Sequence, residues 1–150
     1  MTYQELIDNL RTAATTANPT GTSFLGTLAE FSKMTSQLNN KNALIHFAPP
    51  SQTADTDNGS GNWEIIIAFT ERDNPGNVAQ TADQNINWNS REQIVDNMFD
   101  MLNLFIQTLS NSITEQVQKG TFTADFQTYS EIRSGVSGTI TIINGVDRIC

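Results

Sequence analysis

Apolar residues near the start of the chain recur at helical spacing: Leu6, Ile7, Leu10, Ala13, Ala14 and Ala17. That spacing lays a single stripe along a helix. A helix is therefore predicted over residues 2–17. Thr2 and Glu5 form a capping box at its start, the hydroxyl taking the N3 amide while the carboxylate reaches back. Asn18-Pro19 ends it. The next segment, "SFLGTLAEFSKM" (Ser23 to Met34), is open between two periods: Phe24, Leu28 and Phe31 fit a helix, whereas Gly26 and the short length fit a strand.

Two strand signals follow. "NALIHFAP" (Asn42 to Pro49) is stopped by Pro49-Pro50. In "NWEIIIAFTE" (Asn62 to Glu71), Trp63, Ile65, Ile67 and Phe69 point one way, and Ile66 and Ala68 make the other face partly apolar. This pattern predicts a central strand covered on both sides. The connection from Pro49 to Asn62 then becomes a long hairpin with "DTDNGSG" at its tip. A second connection, Arg72 to Asn89, has neither period. Connections of that length are usually functional or disordered. Ile86 and Trp88 are its apolar anchors.

Ser90 to Lys119 reads as one long helix, with a Ser90/Gln93 capping box and Gly120 as the C′ residue. Its apolar band runs from Ile94 through Met98, Leu102, Phe105 and Leu109 to Ile113 and Val117. Leu104 and Ile106 widen the band beyond what one sheet face needs, so part of it is expected to meet another chain. "TFTADFQTY" and "GTITIIN" (Gly138 to Asn144) are the closing strands, with "RSGVSG" read as the turn before the second. The fold class expected is α+β in one domain, residues 1–150. An N-terminal helix and one long helix pack on a mostly antiparallel sheet of four to five strands.

Composition narrows the function. The chain has 150 residues, 37% of them apolar, and a net charge of −8. Much of the polar remainder is uncharged Asn, Thr, Gln and Ser, which suits a surface that meets other proteins. Its eight Lys and Arg are scattered, so a grip on nucleic acid through phosphate neutralisation is not expected. The single cysteine, Cys150, permits no intrachain disulfide. No basic n-region or long apolar run appears in "MTYQELIDNL", and neither a signal peptide nor a membrane span is expected.

Candidate chemistry is sparse. "ADTDNGSGNWE" has the look of a calcium loop, but counting from Asp55 puts Gly59 at position 5, Ser60 at 6 and Ile66 at 12. An EF-hand needs oxygens at the first and last of these and glycine at the second. His46 lies in a strand without a His or Cys partner at zinc spacing. Glu92, Asp96 and Asp100 recur at i, i+4, i+8, with no electrophile beside them, and read as a solvated helix face. "TERD" (Thr70 to Asp73) reads as an interface or a surface salt bridge. There is no nucleophile elbow, P-loop or dinucleotide fingerprint. No enzyme, metal or cofactor is expected.

The order of segments carries a resemblance. "YQELIDNLRTAA", "SFLGTLAEFSK", a strand ending in "HFAPP", "WEIIIAFTERDN", "REQIVDNMFDMLNLFIQTL" and "SEIRSGVSGTITIINGVDRIC" together resemble small proteins of the neck and tail genes of Bacteroidetes tailed phages. Those look like the tail terminator and ring proteins of phage tails, which share an α-β-β(-β)-α-β-β order. The resemblance implies a virion structural protein in the neck or tail, with no catalysis. Copies would close into rings of six or twelve subunits, two different patches meeting head to tail. Neighbours would be portal, connector or tail-tube proteins, with DNA passing through the centre. In such a ring Leu104, Phe105, Ile106, Leu109, Glu71, Arg72, Asp73 and Trp88 are the candidate inter-subunit contacts. Asp55, Asp57 and Asn58 are the candidate channel-facing loop. The alternative is a non-enzymatic protein-binding module or phage effector.

Overall fold

The computed structural model describes residues 1–27, 29–30, 43–53, 61–73, 90–126 and 133–143. Within them the order is α1 (Tyr3–Ala17), β1 (Thr22–Leu25), β2 (Leu44–Phe47), β3 (Ser51–Gln52), β4 (Trp63–Arg72), α2 (Arg91–Ser112), β5 (Gln116–Phe126) and β6 (Arg133–Ile143). The class is α+β, as expected, but the sheet has six strands and is mixed. The strands run in the order β1-β2-β4-β6-β5, with β3 pairing the start of β4. β1 lies parallel to β2, and every other pair is antiparallel.

The helix starts behave as their caps dictate. Glu5 N–H donates to Thr2 Oγ1 at 3.2 Å and Thr2 N–H to the Glu5 carboxylate at 2.9 Å. Ser90 caps α2 by accepting from Gln93 N–H at 3.2 Å. The reciprocal half of that box is missing, because the Gln93 side chain donates to Asn97 instead. A further capping box joins Thr27 and Glu30, and within the ambiguous segment the described residues are strand up to Leu25 and helical at 29–30.

The core fills the space between one sheet face and both helices. Ile45, Phe47, Ile65, Ile67, Phe69, Val136, Ile140 and Ile142 meet Leu6, Leu10, Ile94, Met98, Leu102, Phe105 and Leu109. Phe105 sits between Phe47 and Phe69, its ring centroid 5.8 and 5.7 Å from theirs. The opposite face is only half covered. Leu44, Ala68 and Thr70 are buried there, while Ile66 is 59% exposed beside exposed Glu64. The expectation that β4 is covered on both sides therefore fails over its first half.

Two boundaries depart from the sequence reading. α2 ends at Ser112, and Ile113 takes extended angles (φ −124°, ψ 158°). The residues read as its last turns, Gln116 to Lys119, are the start of β5. "RSGVSG" is not a turn but the first half of β6. Its glycines answer close approaches: a Cβ at Gly135 would stand 1.9 Å from Phe69 O, and Gly138 lies under the Phe122 ring. The hairpin reading survives at its base, where Ser51 and Gln52 pair with Glu64 and Trp63. Its tip and Cys150 lie outside the described residues.

Candidate functional site

Three places gather side chains. The first is a polar knot at the end of β4. Asp73 is fully buried and accepts from Arg91 Nε at 3.0 Å and from Ser134 Oγ at 3.1 Å. On the other face of the sheet, buried Arg133 donates from Nε to Thr70 Oγ1 at 3.0 Å and from its terminal nitrogen to Thr70 O at 3.1 Å. Each buried charge is thus hydrogen-bonded, which is the condition for burying it at all. The knot ties α2, β4 and β6 together. Arg91 and Asp73 are engaged with each other, and Arg133 is engaged with Thr70.

The second is His46 on β2. Its ring stacks on Phe24, with centroids 5.8 Å apart, and Nε2 lies 2.7 Å from Gly26 O. A carbonyl only accepts, so Nε2 carries the proton. Burial lowers the pKa, and the bond to Gly26 O raises it by less. The residue is a locked core histidine that fastens the end of β1 to β2.

The third is a cavity of about 200 Å³ between α1 and β1, at the β1 end of the sheet. Ile7, Leu10, Leu25 and Phe47 supply its apolar wall, with Ser23 and Arg11 beside them. Among the described residues the Arg11 guanidinium has no ion-pair partner.

The expected site residues scatter. Phe105 and Leu109 are fully buried in this chain's own core and are not available to a neighbour. Leu104 is 43% exposed and Ile106 half-buried. Glu71 and Arg72 are half-buried, whereas Asp73 is sealed in the knot. Glu92, Asp96 and Asp100 are exposed along α2. Asp55, Asp57, Asn58 and Trp88 lie outside the described residues. Arg133 and Ser134 were hidden by the turn reading of "RSGVSG". Nothing in the sequence marked Arg11 and Ser23, because they converge only through the packing of α1 on β1.

Among the described residues no group of His, Cys, Asp or Glu is placed to hold a metal ion. None of the helices there is long and apolar enough to cross a membrane. Compared with protein-family models and with curated proteins, the chain matches none.

Proposed function

We propose that this protein is a structural component of a tailed-phage virion. It closes into a ring in the neck or tail, at the head–tail joint or the tail end, with genomic DNA threading the opening. The observation that carries the reading is the architecture: helix, strands, long helix, two strands, in one sheet with both helices on the same face. That is the order for which the resemblance to tail terminator proteins was drawn. The charged groups in the interior support it, because they are spent on tying elements together. The partners are further copies of the chain, the adjacent portal, connector or tail-tube proteins, and DNA in transit.

Electron microscopy of the purified protein and of the particle tests the reading. Closed annular oligomers, or the chain located in the neck or tail, are the expected result. A protein that stays monomeric at high concentration and is missing from purified virions overturns it.

A further inference from the structure

The two ends of the sheet differ, and the difference is complementary. Among the described residues β1 and β5 each have one strand neighbour. On β1, Thr22 N–H and Gly26 N–H donate across to Ala43 O and Phe47 O of the β2 side. In a parallel pair the bonding residues alternate, so Ser23 and Leu25 turn their backbone groups outward. The cavity lies on the helix side of this edge, with Ser23 and Leu25 on its floor and Ile7, Leu10 and Arg11 above.

β5 is the other edge, and its two halves are unlike. Pairing with β6 is irregular between Lys119 and Phe122, and Lys119 itself is exposed. A bulge and a lysine are devices that discourage edge pairing. From Phe122 to Phe126 the register is regular. That run nearly equals the four residues of β1. Phe122, Ala124 and Phe126 pair with Gly138, Val136 and Ser134, which places them on the helix side. Phe126 is 52% exposed, a large apolar ring that the chain leaves partly uncovered. Arg91 already lies over that ring at 5.1 Å.

We propose that the β1 edge and its cavity receive the Phe122–Phe126 segment of a second copy of this chain, which extends the sheet and seats Phe126 against Ile7, Leu10 and Arg11. This deepens, and rests on, the ring reading. Both partners of the contact face the same layer, so joining them keeps all helices on one side. Strand direction agrees as well. β1, β2 and β6 run one way and β4 and β5 the other. Rotation about an axis along the strands preserves these directions, so β5 meets the next β1 antiparallel. The contact is heterologous: it uses two different patches and repeats until a ring closes.

Two variants and their mixture test it by light scattering after gel filtration, with circular dichroism as the check on folding. Ser23→Pro removes an outward N–H from the β1 edge, where proline is tolerated. Phe126→Asp spoils the other patch. Each alone is expected to be a folded monomer where the natural chain assembles. Mixed, they still hold one intact patch of each kind, and a one-to-one heterodimer is expected. If the natural chain assembles and either folded variant assembles equally well, the edges are not the contact, and the ring reading stands without this inference. A folded pair of monomeric variants that gives no heterodimer also overturns it. Should the natural chain stay monomeric at every concentration and be missing from virions, the ring reading falls and this contact with it.

Discussion

Arg91 Nε reaches the buried carboxylate of Asp73 at 3.0 Å, which pins the first turn of α2 to the end of β4. Asp73 is fully buried, and the Arg91 side chain is 31% exposed. The carboxylate also accepts from Ser134, so Asp73→Ala strands two donors at once. Breaking a buried pair costs about 3–5 kcal/mol, and the partial exposure of Arg91 brings the expectation to about 2–3 kcal/mol. Urea unfolding should show this as a lowered midpoint at unchanged slope. A loss below about 0.5 kcal/mol, the level of an ordinary surface change, would mean that the pair does not hold α2 in place.

Neighbouring positions on α2 should respond very differently. Phe105 is fully buried between two other rings, and Phe105→Ala should cost about 3–5 kcal/mol. Leu104 is 43% exposed, and Leu104→Asp should change stability by no more than about 0.5 kcal/mol. Thermal melts of the two variants decide the matter. Equal losses would contradict the division of this band into core and surface.

How much of this was legible in the sequence varies with the kind of signal. α1 and β4 were plain, because a capping box with a stripe specifies a helix, and a short β-branched run with apolar residues at every second position specifies a strand. The end of α2 was not. Leu109, Ile113 and Val117 are four apart, and four residues bring a side chain back to the same face of a helix and of a strand alike. The helix stops where Ile113 turns to extended angles, and the Ser112 hydroxyl bond back to Thr108 O does not explain it, since Thr12 and Thr108 make the same bond inside helices that continue. Gly135 and Gly138 misled for another reason. Glycine marks a turn or a close approach equally well, and only β4 and β5 lying alongside reveal that here it is the second. The polar knot was half visible in "TERD". Its partner Arg133 is paired with it by a register that the sequence does not state.

His46 predicts a pH dependence with a definite sign. Burial lowers its pKa below 6.5, so the unfolded chain takes up a proton that the folded chain resists. Stability should be complete above about pH 6.5 and decline as the pH falls below it. As this is the chain's single histidine, the slope over about the first pH unit below 6.5 should vanish in His46→Gln. Denaturation midpoints of both proteins across that range check it. A natural chain that gains stability on acidification has the opposite sign and removes the argument.

The last prediction concerns DNA. If the ring reading holds, duplex DNA must slide past the protein without being held. Duplex DNA carries about one negative charge per 1.7 Å, and a surface that neutralises several phosphates binds it tightly at low salt. The described surface does the reverse. Glu5, Asp8, Glu92, Asp96 and Asp100 are exposed on the helices, against exposed Arg11 and part-exposed Arg91. The whole chain carries −8. Like charge keeps the polymer at a distance until salt screens the repulsion beyond about 8–10 Å. The purified protein should therefore show no measurable affinity for a short duplex at about 50 mM salt, where basic proteins bind strongly. Fluorescence anisotropy of a labelled duplex is the measurement. Tight binding that weakens steeply as salt is added would reveal a phosphate-gripping surface, and the idea of a channel wall that lets DNA pass would have to be abandoned.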